Sequence, residues 1–116
     1  MTQADHHPFE TGLDRSGANF APLTPVSFLA RAAQSFADKT AVIDGARRFT
    51  YRELMERCRR LASALQKRGV RRLDTVAILA SNIPEMIEAH FAIPMLGAVL
   101  YPLNTRLDAP TMAPST

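Results

Sequence analysis

The chain has 116 residues, 47% of them hydrophobic, with 14 lysines and arginines against 11 aspartates and glutamates and a formal charge of +3. That is the size of one small domain, which buries roughly two-thirds of its unfolded surface and has little stability to spare. The longest apolar run, Phe91 to Leu103, is too short and too broken by proline and glycine for a spanning helix. The polar, acidic opening "MTQADHHPFETG" argues against a secretory signal, and the single cysteine, Cys58, leaves no internal disulfide and fits a reducing cytoplasm.

Residues Met1 to Leu23 hold no sustained period and contain Pro8, Gly12, Gly17 and Pro22, so they read as an irregular leader, lying against the domain or disordered. His6 and His7 stand side by side without a third ligand nearby, a poor basis for a metal site. In "TPVSFLARAAQSFADKT" a helix is expected, with Thr24 as N-cap and Pro25 at the first position. Val26, Leu29, Ala33 and Phe36 share one face, and the helix should end near Ala37 or Asp38.

"TAVIDGARRFTYREL" reads as a β-hairpin with Asp44-Gly45 at its tip, followed by a second helix capped reciprocally by Thr50 and Glu53. Asp44 is explained by turn chemistry without a catalytic or metal role. Leu54, Cys58, Leu61, Ala62 and Leu65 form the apolar stripe of that helix, and Gly69 ends it in a left-handed conformation. Cys58 lies in the stripe with no activating base in view, so it is expected as a packed thiol.

"TVAILASN" has the look of a strand buried on both faces. A third helix is expected from about Ile83 to Leu96, capped by Ser81 or Asn82, with Met86, Ile87, His90, Phe91 and Met95 inward and Pro94 kinking its last turn. His90 is expected as a satisfied structural histidine. "AVLYPLN" then supplies a second buried strand. Strand, helix and strand make a βαβ unit with parallel strands, so the fold class is α/β.

Ten basic residues lie between Arg47 and Arg72 (Arg47, Arg48, Arg52, Arg57, Arg59, Arg60, Lys67, Arg68, Arg71 and Arg72), opposed there only by Glu53 and Glu56. Such a patch could meet phosphates. The acid-first i,i+4 pairs Glu53–Arg57 and Glu56–Arg60 fit a solvated helix face better, and no aromatic residue alternates with the cations, so no nucleic-acid partner is expected. Phosphate loops, Gly-x-Gly-x-x-Gly, Gly-x-Ser-x-Gly, His-Glu-x-x-His and Cys-x-x-Cys are all missing from the sequence. Residue by residue, no catalytic, cofactor-binding or metal-binding side chain emerges.

Three stretches carry a resemblance: "ADKTAVIDGARRFTYREL", "RLASALQKRGVRRLDTVAILASNIPEMIEAHFA" and "LGAVLYPLNTRL". In order and spacing they resemble the N-terminal part of an AMP-forming acyl-CoA synthetase, of the adenylate-forming superfamily; "YPLNTRLDA" looks most like the fatty-acyl branch. The resemblance implies a partial N-terminal subdomain over residues 24–108, between the leader 1–23 and an irregular tail 109–116. It also implies ATP, Mg²⁺ and coenzyme A as the family's cofactors, with a carboxylic acid as substrate. The family's phosphate loop, adenine-contacting segment, ribose-binding aspartate and C-terminal lysine have no counterpart here, so the implied role is scaffold: an N-terminal portion of a ligase, inactive alone. The alternative is a stand-alone module pairing with a full-length ligase or a separate C-terminal chain.

At Ala109 the family's next helix gives way to "PTMAPST", which Pro110 and Pro114 keep from being helical. A truncated frame, a frameshift and a gene remnant all fit. Strand faces and edges left uncovered should make the segment a marginal monomer prone to self-association.

Overall fold

The computed structural model describes residues 23–104 and 106. The leader reading up to Pro22, with His6 and His7, and the tail reading over 109–116 lie outside the described residues. Seven elements follow in order: α1 (Pro25–Ser35), β1 (Thr40–Asp44), β2 (Arg47–Thr50), α2 (Tyr51–Lys67), β3 (Thr75–Ile78), α3 (Pro84–Met95) and β4 (Val99–Pro102). The fold is α/β, with an antiparallel hairpin β1–β2 and a separate parallel pair β3–β4 joined through α3.

Local chemistry explains most boundaries. Thr24 caps α1 through a reciprocal box with Ser27, and Pro25 occupies the first turn. The helix stops sooner than expected, at Ser35, with Phe36 as C-cap, its N–H donating to the Ala32 carbonyl at 2.7 Å. Phe36 is therefore off the apolar face and half exposed, with the Lys39 ammonium 5.2 Å from its ring centre.

In the hairpin, Asp44 is paired with Arg47 as the last residue of β1, so the tip is Gly45-Ala46 instead of Asp44-Gly45. Gly45 supplies the positive φ of +59° that the reversal needs. The Thr50–Glu53 box forms as expected: the Glu53 N–H donates to Thr50 Oγ1 at 3.2 Å and the Thr50 N–H to Glu53 Oε1 at 3.0 Å. Both α2 and α3 end in Schellman geometry. Val70 N–H reaches the Leu65 carbonyl at 3.1 Å past Gly69, and Ala98 N–H reaches Ile93 at 3.3 Å past Gly97.

Two apolar clusters flank the α2–α3 pair. One joins Leu29, Val42, Leu54, Met55 and Cys58; the other joins Ala89, Ile93 and Ala98, with Leu61, Leu65, Val76, Ile78 and Leu100 packed against it. Met55 is a core residue that the expected stripe left out.

Three expectations are corrected. The strands are covered on one face only: Val76, Ile78 and Leu100 are half-buried, whereas Leu79, Val99 and Tyr101 are 54%, 49% and 37% exposed. The N-cap of α3 is Ile83, whose side chain offers no acceptor, in place of Ser81 or Asn82. The buried face of α3 consists of Pro84, Glu88, Ala89, Ala92 and Ile93, while Ile87 and His90 are exposed and Phe91 and Met95 only partly buried. This helix is apolar nearly all round, so its period does not choose a face; packing of small alanines closely against α2 does.

Candidate functional site

Polar chemistry concentrates where α3 begins. Arg47 from β2 donates through Nη2 to Glu85 Oε1 at 2.6 Å, and Arg57 from α2 approaches the same oxygen at 3.8 Å. Arg57 Nε donates to Glu88 Oε1, and its guanidinium lies 4.5 Å from the Phe49 ring centre. Glu88 is 5% exposed, the buried end of the network. The Arg47 guanidinium holds the Glu85 carboxyl below the usual carboxylate range, and Glu85 in turn raises Arg47 above its own. This chain of charges ties the hairpin and α2 to α3; its geometry is that of a fastener.

Beside it lies a groove of about 430 Å³ between β1 and the start of α3, lined by Val42, Ile43, Asp44, Ile83, Met86 and His90 among others. A second groove, of about 420 Å³, shares Asn82, Met86 and His90 with the first and extends to Pro102, Asn104 and Arg106. The second sits off the carboxyl ends of β3 and β4, the end of a parallel sheet where α/β folds place ligands. His90 Nδ1–H donates to the Met86 carbonyl at 2.7 Å, which leaves Nε2 as the acceptor. The histidine is thus satisfied, as expected, but exposed on the groove wall. Asp44 lines the same groove, 3.9 Å from Arg47.

Cys58 is fully buried, and burial, with Glu88 adding to it and Arg57 opposing, pushes its thiol up to about 11. It is a packed core thiol, as expected. Of the basic run, Arg47, Arg52, Arg57 and Arg60 each lie within 4.0 Å of a carboxylate. The Glu56–Arg60 pair forms, at 3.9 Å, but the expected Glu53–Arg57 pair gives way to two competing uses: Glu53 caps α2 and Arg57 turns to Glu88. The signal for this was two acids three residues apart on an otherwise apolar helix, opposite a surplus of arginine. Among the described residues, no three of His, Cys, Asp and Glu converge as metal ligands, and no helix is long and apolar enough to cross a membrane.

Residues 29–114 match the family model described as AMP-binding enzyme. The chain belongs to this family of AMP-binding enzymes. Among curated relatives, a peroxisomal butyrate–CoA ligase of Arabidopsis thaliana is 51% identical over 96 residues, covering 83% of this chain and 17% of that protein. A peroxisomal trans-cinnamate:CoA ligase of Petunia hybrida is 48% identical over 101 residues, covering 87% of this chain and 18% of its own. The chain therefore spans less than a fifth of the length of these two relatives. Among solved structures, a long-chain-fatty-acid CoA ligase from Rhodopseudomonas palustris superposes with a TM-score of 0.74 at 42% identity, over 78% of this chain and 23% of that one. The N-terminal subdomain of NpsA from Klebsiella oxytoca gives 0.72 at 32% identity, over 77% and 23%.

Proposed function

We propose that this segment is the N-terminal scaffold of an ATP-dependent carboxylate–CoA ligase and has no ligase activity by itself. The observation that carries the reading is its identity of about half with CoA ligases over 96 and 101 of its residues. The activity would join a carboxylic acid to ATP, release pyrophosphate and pass the acyl group to coenzyme A, with Mg²⁺ accompanying the ATP. That chemistry needs donors aimed at the developing charge on the α-phosphate. The arginines of the network are committed to Glu85 and Glu88. What the segment offers is position, since α3 lines both grooves and the end of the parallel pair lines the second.

A fatty acid is the substrate class proposed from "YPLNTRLDA", and the reducing cytoplasm is the compartment proposed from the lone buried thiol; the plant relatives named above are peroxisomal. The bare face of Leu79, Val99 and Tyr101 supports a scaffold awaiting cover, and self-association through the strand edges is the consequence when it is isolated.

The test is a transplant. Residues 24–104 replace the corresponding segment of the Arabidopsis butyrate–CoA ligase, and butyrate-dependent ATP–pyrophosphate exchange is measured for the chimera and the isolated chain. The chimera should keep exchange within about tenfold of its parent, a loss of no more than about 1.4 kcal/mol of transition-state stabilisation. The isolated chain should show none. A chimera that folds cooperatively yet loses exchange altogether, or an isolated chain that performs it, would overturn the proposal.

A further inference from the structure

The turn between α2 and β3 is firmly built and takes no part in the fastener or the two grooves. Arg71 N–H donates to Asp74 Oδ2 at 2.7 Å, Leu73 N–H to the Gly97 carbonyl at 2.9 Å, and Val99 N–H to the Asp74 carbonyl at 2.7 Å. Gly97 leaves room for the turn, since a Cβ there would meet the Arg72 side chain at 3.0 Å. Held in this way, Leu73 takes a φ of +70° and is 75% exposed. That region is sterically disfavoured for leucine, and the exposed side chain adds no packing to offset it.

Four cations stand around this apolar tip. Lys67 and Arg68 close α2, Arg71 and Arg72 precede Leu73, and all four are exposed. Among the described residues none of the four pairs with a carboxylate. Asp74, the one acid between 67 and 74, is turned to the Arg71 amide. Lys67 and Arg68 complement the negative end of the α2 dipole, but Arg71 and Arg72 lie beyond it, on neither helix nor strand. The turn sits at the amino ends of β3 and β4, the opposite end from the second groove.

We infer that residues 67–74 form a contact surface for an anionic phospholipid bilayer. Leu73 enters the boundary between headgroups and acyl chains, and Lys67, Arg68, Arg71 and Arg72 lie among the anionic headgroups. Charge complementarity accounts for the cations, each of which raises partition to such a surface about fivefold. The leucine favours lipid over other polyanions. A nucleic acid also offers phosphates, but it rewards stacking aromatic side chains, which this turn lacks. A docked turn leaves the second groove, at the far end of the parallel pair, open to water.

The test floats the full chain with vesicles in a density gradient at about 0.1 M salt, which leaves aggregated protein at the bottom. Vesicles of phosphatidylcholine mixed with phosphatidylserine should carry the chain, and vesicles of phosphatidylcholine alone should not. Arg71→Gln combined with Arg72→Gln should lower partition about 25-fold. Leu73→Asn should lower it at least about fourfold, the value of one buried methylene, while folding no less well than the parent. Arg59→Gln should leave it within about twofold, because Arg59 lies about 12 Å along α2 from Lys67, past one screening length. The chain holds no tryptophan, so Leu73→Trp places a single reporter at the tip, and its emission should shift to the blue on the anionic vesicles. Equal flotation with both vesicle types, no flotation, an equal loss from Arg59→Gln, or a reporter that stays in water would each overturn the inference. Parent-like partition of Leu73→Asn would overturn it too, and salt-sensitive capture of single-stranded DNA by that variant would reassign the turn to nucleic acid. Should the double arginine variant fail to fold, the reporter emission decides alone.

Discussion

The Arg57–Glu88 pair offers the sharpest test of how the helices are fastened. Replacing Arg57 by Met keeps the aliphatic stem but strands the Glu88 carboxylate at 5% exposure. Breaking a fully buried pair by removing one partner costs about 3–5 kcal/mol. Here the Arg57 side chain is 33% exposed, so water screens part of the attraction. The guanidinium also loses its place over Phe49, which is worth about 0.5–1 kcal/mol. The net expectation is about 2–3 kcal/mol, a large share of the 5–15 kcal/mol typical of a whole domain. Glu88→Leu should cost about 1 kcal/mol or less, because Arg57 keeps Glu85 at 3.8 Å and access to solvent. The double variant should be more stable than the sum of the singles implies, by about 1–2 kcal/mol. Urea denaturation followed by far-UV circular dichroism reads all four proteins, and Arg57→Met should move the midpoint down by about 1–3 M at a slope of about 1–2 kcal/mol/M. Additive singles, or an Arg57→Met midpoint within error of the parent, would refute the view that this pair fastens α2 to α3.

Three further outcomes are expected. Thr50→Ala should cost about 1 kcal/mol through loss of the α2 cap. The Thr50 N–H and hydroxyl lower the Glu53 carboxyl below its usual range, so its contribution is complete above about pH 4.3 and lost as pH falls through the lowered value; Glu53→Gln should flatten that acid limb in stability–pH curves, and an unchanged limb would count against the box. Leu73 sits at φ +70° while 75% exposed, so Leu73→Asn should stabilise by about 1 kcal/mol in the same denaturation assay, and a loss of stability would contradict the strain assigned to it. Cys58 should resist iodoacetamide at pH 8 in the native chain and react once urea unfolds it, because the thiol is buried and pushed up to about 11; rapid native labelling would contradict its place in the core.

Features that residues settle with their immediate neighbours were legible in the sequence. Thr24-Pro25, the Thr50–Glu53 box and Gly69 all act over one helical turn, and each is found where its spacing put it. The hairpin was legible to within one residue, since a positive φ at Gly45 is compatible with a tip starting at either Asp44 or Gly45. Facing was not legible in α3, where Met86, Ile87 and Phe91 are as apolar as the residues actually buried. Nor did the strands match their wording: "TVAIL" reads as buried on both faces, but the described residues cover one. The fastener was hidden by a local alternative, because Arg57 had an acid four residues away and chose one thirty-one residues away, where burial and the Phe49 ring strengthen the contact.

The separation of the two sheets bears on the order of assembly. Hairpin β1–β2 and helix α2 are contiguous in sequence and close through short loops, so their contacts cost little loop-closure entropy. The β3–β4 pair can form only after α3 has been spanned, and parallel pairing of this kind is slow. Residues 40–67 should then gain hydrogen-exchange protection first, with α3 and β4 adding to a preformed surface. In a pulse-labelling experiment the amides of β4 would be the last to be shielded, and those of α2 the last to be released on unfolding.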